Sequence, residues 1–156
     1  MKIVFVLLLS ALSMLAQAAD IGESLTPWTL NDQYDQPYTL NEQTRILLVA
    51  RNMDGAKLVK AALKDQPKGY LEARNAVFLA DVHGMPSLIG KWFAIPAMQK
   101  YTYRVVLDRD GSIAAQYPGA EDQVLWLQLQ GSTVVSQHTF TSAEQLQKAL
   151  QDTPAQ

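Results

Sequence analysis

The chain has 156 residues and a nearly balanced charge, with 13 Lys and Arg against 15 Asp and Glu and a formal net charge of −2. It shows no basic stripe or arginine cluster, so nucleic acids and anionic membrane surfaces are poor matches as partners. It also contains no cysteine, which excludes thiol–disulfide exchange and thiol-based peroxide reduction because both reactions need a thiolate.

The first 18 residues have the pattern of a secretory signal peptide. Lys2 precedes an apolar run over residues 3–15, and residues 16–18, Ala-Gln-Ala, have the small-x-small form of a signal peptidase site. The apolar run is short for a membrane span, which needs about 20 residues. We therefore expect export to the periplasm, removal of residues 1–18 and no membrane contact afterwards. The remainder predicts one domain over residues 19–150 and a flexible tail over residues 151–156.

Apolar or β-like runs bounded by turn formers predict the strands. In chain order they are residues 28–30, 37–40, 46–50, 76–81, 103–107, 124–129 and 133–138. The turn formers over residues 31–36 join the first two as a hairpin, and Gln130-Gly131 joins the last two. The run at 46–50 is continuously apolar, so we expect that strand to be buried on both faces. The run at 76–81, which is apolar up to its final Asp81, is the second strand that we expect to be buried.

Segments with apolar residues at helical spacing follow the first two core strands, which predicts a helix after each of them. An amphipathic helix follows residue 52 and ends near Pro67, and a shorter helical piece covers residues 70–74. Pro86 suits the first turn of a second helix, and Pro96 is expected to limit its far end. Four side chains of that helix share one apolar face: Leu88, Ile89, Trp92 and Phe93. The chain's aromatic side chains could form a binding face, but we expect most of them to pack in the core or the hairpin instead: Trp28, Tyr34, Tyr38, Trp92, Phe93 and Tyr117.

A capping box opens the last predicted helix. Thr141 is the predicted N-cap, and Glu144 lies three residues later, where its side chain can reach back to the cap. Leu146 and Leu150 then supply an apolar stripe. This helix closes the predicted domain.

The order of these elements predicts an α/β fold. Right-handed crossovers place the strands at 46–50, 76–81 and 103–107 in one mostly parallel sheet, to which the closing hairpin adds antiparallel strands. This order, with the stretches ILLVARNMDGAK (46–57) and YRVVLDRDGSIAAQYPG (103–119), resembles the thioredoxin-like fold in its peroxiredoxin and thiol-disulfide reductase branch. The resemblance covers most of residues 21–150. It implies three layers, a mixed central sheet flanked by helices, with an N-terminal β-hairpin extension.

The resemblance also locates a degenerate redox motif. The Cys-x-x-Cys of that branch falls on residues 53–56, with Met53 in place of the nucleophilic cysteine and Ala56 in place of the resolving one. The cis-proline of the branch would precede the closing hairpin, where residues 121–123 read Glu-Asp-Gln. The resemblance therefore implies a scaffold without redox chemistry, for which we expect no catalytic residue and no cofactor.

Polar side chains follow the ends of the predicted parallel strands, where ligands collect in open α/β sheets. The candidate binding residues are Arg51, Asn52, Asp54, Asp81, His83 and Asp108. Arg51 is the strongest of them, because an arginine at a helix N-terminus favours anions. Helix caps and turns use the same residue types, so a purely structural role is the alternative.

Two further interpretations involve Asp108. Together with Asp81 and His83 it could hold a metal ion, but nothing in the spacing requires one and no metal site is predicted. The stretch VVLDRDGS (105–112) resembles the first motif of haloacid-dehalogenase-type phosphatases, which would make Asp108 the nucleophile and Asp110 the general acid. That motif normally opens its domain, whereas here only the shorter part of the chain follows, so a strand and a glycine turn are favoured.

A retained scaffold without thiols predicts a redox-inactive periplasmic binding or accessory protein for a protein or peptide partner. The polar side chains at the strand ends leave a small-molecule- or metal-dependent enzyme as an alternative. A structural envelope protein is the third.

Overall fold

A computed structural model describes residues 20–156, and the predicted signal peptide lies outside them. The strands are β1 Thr29–Asn31, β2 Pro37–Thr39, β3 Ile46–Ala50, β4 Ala76–Asp81, β5 Val106–Asp108, β6 Val124–Gln130 and β7 Thr133–Phe140. The helices are α1 Met53–Ala62, α2 Ser87–Ile89, α3 Ile95–Met98 and α4 Ala143–Gln151, with a π-helical turn, Gly90–Ala94, between α2 and α3. Short 3₁₀ turns cover Glu72–Arg74 and Ala114–Gln116.

A five-stranded mixed sheet in the order β5-β4-β3-β6-β7 forms the centre of the fold. Strands β3, β4 and β5 run parallel, and β6 and β7 continue the sheet antiparallel. Every residue of β3 and β4 is buried, as their apolar runs predict. One core cluster includes Val59 and Leu146 from α1 and α4, and a second includes Trp28 and Tyr117. The predicted mixed sheet and its flanking layers are confirmed.

The predicted N-terminal hairpin is also confirmed. Strands β1 and β2 pair antiparallel with Thr29 opposite Thr39. The hairpin then docks on the sheet, because Asp32 forms an isolated bridge to Val106 at the outer strand β5. An otherwise open sheet edge is covered in this way.

The third parallel strand is shorter than predicted. The sequence predicts residues 103–107, whereas β5 spans Val106–Asp108. The buried amide of Gln33 donates to the Tyr103 carbonyl and accepts from the Val105 N–H, both at 2.8 Å. A side chain therefore satisfies backbone groups that a neighbouring strand would otherwise satisfy.

The helical segment after Pro86 begins where it was predicted, but its apolar face is not in the core. Leu88, Ile89, Trp92 and Phe93 are between 49% and 72% exposed. Pro96 does not end the segment either, since it lies in the first turn of α3, which continues to Met98. The π-helical turn just before it already interrupts the regular ladder, and a proline without an N–H is tolerated in a first turn.

Two helix boundaries differ from prediction, and the last residue is hydrogen-bonded to the 3₁₀ turn at Glu72–Arg74. Ser142, not Thr141, is the N-cap of α4, and its hydroxyl accepts from the Gln145 N–H at 3.4 Å. Helix α1 ends at Ala62, and turns lead the chain from there to Pro67. The Gln156 N–H donates to the carbonyl of Ala73 at 2.9 Å. Across residues 20–156, none of the helices has the length and apolar character needed to cross a membrane.

Candidate functional site

A cleft of about 560 Å³ opens at the carboxyl ends of β3 and β4. Its polar lining consists of Arg51, Asn52, Asp54, Asp81, His83 and Glu121, and its apolar lining includes Met53, Met85, Pro86, Ile89 and Ala94. Five of the six predicted binding residues therefore meet in one cavity. Asp108 does not line it.

Arg51 directly follows β3 and is half-buried. Its Nη1 donates to the carbonyls of Tyr117 and Gly119, each at 3.3 Å. Both acceptors are neutral, and among residues 20–156 no carboxylate oxygen lies within 4.0 Å of the guanidinium. The positive charge of Arg51 is consequently held in place without being neutralised.

The start of α1 forms one wall of the cleft. Asn52 is the N-cap, and its Oδ1 accepts from the Gly55 N–H at 3.0 Å. Met53, for which the resemblance implies the position of the nucleophilic cysteine, is 45% exposed. Asp54 is exposed and lies 3.7 Å from Lys57 on the same helix. Asn52 thus has a capping role, whereas the thioether of Met53 is available to a ligand.

Asp81 and His83 form a tightly joined pair at the end of β4. Oδ1 of Asp81 lies 2.5 Å from His83 Nδ1 and accepts from the His83 backbone N–H at 3.0 Å. The Asp81 side chain is 4% exposed and that of His83 is 59% exposed. The hydrogen bond to Asp81 and its negative charge raise the pKa of His83 above its ordinary value. Since Nδ1 is engaged, Nε2 is the nitrogen that His83 can offer to a ligand.

Asp108 is buried behind the cleft and holds the turn that follows β5. Its Oδ1 accepts from the N–H of Gly111 at 3.1 Å, and its Oδ2 accepts from those of Ile113 and Ala114 at 3.0 and 2.7 Å. Burial raises the pKa of Asp108, and the Ala114 N–H opposes that rise. With 0% of its surface exposed, Asp108 has no access to substrate, which argues against the phosphatase-like nucleophile.

The turn held by Asp108 packs against the histidine. Gly111 has φ +76°, and a Cβ built on it would lie 2.7 Å from His83 Nδ1 and 3.3 Å from Asp81 Oδ1. No larger residue fits there without displacing the imidazole. Asp108 therefore contributes to the site indirectly, through the turn that supports the Asp81–His83 pair.

An exposed apolar patch continues from the cleft, whereas the sequence favours core packing over a binding face for most of the aromatic side chains. The patch consists of Leu88, Ile89, Trp92 and Phe93, and Ile89 also lines the cleft. Helical spacing alone cannot tell a face in the core from a face in solvent. Contiguous exposed apolar surface on a soluble domain is typical of an interaction site.

The described residues offer no metal centre. No group of three His, Asp or Glu side chains within residues 20–156 is placed to hold an ion. Asp81 and His83 bind each other, and Asp108 is directed at backbone N–H groups.

No family model and no curated protein matches the chain. Solved structures do match. One is provisionally assigned as a protein disulfide isomerase, from Bacteroides thetaiotaomicron; it has 16% identity over 86% of this chain and 87% of that one, with a TM-score of 0.59. Another is provisionally assigned as a thiol:disulfide interchange protein, DsbE, from Chlorobium tepidum; it has 16% identity over 87% of this chain and 96% of that one, with a TM-score of 0.56. The third is the peroxidoxin BcpB from Mycobacterium tuberculosis, with 14% identity over 86% and 98% and a TM-score of 0.55.

At such low identities the likeness shows the fold alone. The chain has a thioredoxin-like fold, as the sequence predicts, and it has no cysteine. The redox activities in the names of these neighbours depend on thiol chemistry that this chain cannot perform.

Proposed function

We propose that the chain is an exported, redox-inactive binding or accessory protein that holds a protein or peptide partner in the cleft and on the adjoining apolar patch. The observation that carries this proposal is the exposure of Trp92 and Phe93, at 65% and 72%, on a helical segment that borders the cleft.

The patch is chemically suited to a polypeptide. Burying apolar surface contributes about 25 cal/mol per Å², and large aromatic side chains supply much of the energy in protein interfaces. Leu88 and Ile89 extend the patch to the edge of the cleft. A partner segment can therefore bury apolar side chains on the patch and place polar groups in the cleft.

The replaced redox motif fits binding without chemistry. Met53 stands at the nucleophile position and lines the cleft, but a thioether forms no thiolate. Methionine is instead a flexible apolar contact that adapts to different partners. Met53 therefore offers a contact surface to a partner at a position where thiol–disulfide exchange is impossible.

Export rests on the N-terminal sequence. Lys2, the apolar run over residues 3–15 and the Ala-Gln-Ala at residues 16–18 together form the signal pattern. Cell fractionation tests it: the full chain should yield a shortened periplasmic form, and deletion of residues 2–18 should leave the protein in the cytoplasm. If the full chain and the deletion variant had the same distribution between periplasm and cytoplasm, this result would contradict export.

Site-specific photocrosslinking tests the binding surface. A benzoylphenylalanine at Phe93 should give a discrete crosslinked partner in intact cells. The matched control is the same probe at Val135, which is 43% exposed on β7 and does not belong to the cleft or the patch.

The captured partner should then bind the purified domain, and Trp92→Ser should weaken that binding. Identical products from both probe positions, or binding that Trp92→Ser leaves unchanged, would contradict the proposal. A purely structural envelope role predicts no discrete product from Phe93.

A further inference from the structure

We propose that the cleft recognises a carboxylate group of its polypeptide partner, bound between Arg51 and His83. This inference rests on the proposed function and specifies the chemistry of the partner at that same site. It is carried by two basic side chains that line one cavity, each fixed by contacts that leave further nitrogen atoms free.

The guanidinium of Arg51 is prepared for an anion. Only its Nη1 is used, for the carbonyls of Tyr117 and Gly119, and Nε and Nη2 make no hydrogen bond to any residue within 20–156. A half-buried cation with neutral partners alone keeps part of its desolvation cost uncompensated. A carboxylate offers guanidinium the strongest complement, through paired charge-assisted hydrogen bonds.

His83 supplies the second contact. Asp81 binds its Nδ1, so the opposite nitrogen, Nε2, remains for a ligand. The negative charge of Asp81 favours the protonated ring, in which Nε2–H is a charged donor. Gly111 packs against the ring on its inner side, which limits the orientations of a side chain that is otherwise 59% exposed.

Other charged groups around His83 affect the protonation of its ring and the binding of a carboxylate in the cleft. Asp108 on β5 favours the protonated imidazole, and Arg51 after β3 disfavours it. Asp54 and Glu121 also line the cleft, and both are exposed. Asp54 has Lys57 as a neighbour at 3.7 Å, whereas Glu121 has no ion-pair partner among the described residues. Glu121 should therefore oppose a bound carboxylate, which makes it a diagnostic position.

The carboxylate can come from a chain terminus or from an acidic side chain, and three synthetic peptides distinguish these sources. The first is acetyl-Gly-Ala-Leu-Phe with a free carboxylate, the second is the same peptide as its C-terminal amide, and the third is acetyl-Glu-Ala-Leu-Phe amide. All three keep the apolar side chains that the patch would contact. Binding to the mature domain is followed by NMR at pH 6, with the Arg51 Nε–H and the His83 ring as reporters.

At least one carboxylate peptide should bind about tenfold more tightly than the neutral amide, the scale of one charge-assisted hydrogen bond. Arg51→Gln should remove this preference, and His83→Gln should reduce it. Glu121→Gln should tighten binding of the carboxylate peptide and leave the amide unchanged. The control is Arg109→Gln, because Arg109 lies 3.5 Å from Asp35 and does not line the cleft.

Each other outcome has a defined meaning. Equal affinities for the acids and the neutral amide, a preference that survives Arg51→Gln, or no binding of any peptide at millimolar concentration would overturn the carboxylate site. Binding of the free acid alone identifies a chain terminus, and binding of the glutamate peptide alone identifies a side chain. The proposed function fails by a different result, the absence of a discrete partner from the Phe93 crosslink.

Discussion

The side chain of Gln33 takes the place of a strand partner for the backbone at Val105. Its Oε1 accepts from the Val105 N–H, while its Nε2 donates to the carbonyls of Tyr103 at 2.8 Å and Met98 at 3.3 Å. Gln33 is 1% exposed and belongs to the turn of the N-terminal hairpin. One residue thus joins the hairpin to the segment that leads into β5.

Gln33→Leu should destabilise the fold by about 2–4 kcal/mol, because it leaves buried backbone groups without partners. Urea unfolding followed by circular dichroism measures this change. The control is Gln36→Leu, since the Gln36 side chain is exposed and makes no hydrogen bond within residues 20–156. Equal losses in the two variants would contradict the role of Gln33.

The same contact explains what the sequence could and could not predict about the fold. The run at Ile46–Ala50 is continuously apolar and that at Ala76–Asp81 is apolar up to its last residue, so the burial of both strands follows from their composition. The start of β5 depends instead on a glutamine that lies 72 residues before Val105 in the chain. No local pattern contains such a contact.

In the candidate site too, some residue positions follow from the sequence and others depend on contacts that the sequence does not show. The sequence places Arg51, Asp81 and His83 just after the ends of parallel strands, and these ends meet at one edge of a sheet. All three side chains line the cleft at that edge. Asp108 follows the same logic, but the N–H groups of the following turn draw its carboxylate inward. Exposure of Trp92 could not be predicted, since it depends on how the helical segment lies on the domain.

Gly111→Ala should be more destabilising than an ordinary substitution at positive φ. A new Cβ there meets His83 Nδ1 at 2.7 Å and Asp81 Oδ1 at 3.3 Å. The matched control is Gly69→Ala, because Gly69 has φ +84° with nothing within 4 Å of its Cβ position.

We expect about 1 kcal/mol of destabilisation for Gly69→Ala from backbone strain, and at least about 2 kcal/mol for Gly111→Ala. Thermal unfolding compares the two variants. The NMR signals of His83 should shift only in the Gly111 variant. Equal destabilisation would show that the packing against His83 has no energetic weight.

His83 should titrate above the ordinary histidine pKa, because Asp81 stabilises its charged form. Its contribution to stability is fully present below pH 6.5, the ordinary value, and is lost as the pH rises through the raised pKa of the folded protein. An NMR titration of the ring protons measures this pKa. Asp81→Asn should lower it, because the substitution removes the negative charge.

The outcome that opposes this prediction is a His83 pKa at or below its ordinary value in the unmodified protein. Asp54→Asn provides the control for a general charge effect: Asp54 lines the same cleft but makes no contact with the imidazole. It should therefore change the His83 pKa much less than Asp81→Asn.

Trp92→Ser should leave the stability of the domain within about 0.5 kcal/mol, because the side chain is 65% exposed and its loss opens no cavity. Trp126→Ser should cost about 3–5 kcal/mol, since Trp126 is 5% exposed and packs against Phe140 with ring centroids 5.7 Å apart. Chemical denaturation gives both values. Acrylamide quenching adds an independent measurement: the strongly quenched part of the fluorescence should disappear in Trp92→Ser. A large stability loss in that variant would mean that the patch is packed in the fold, and would remove the surface on which partner binding depends.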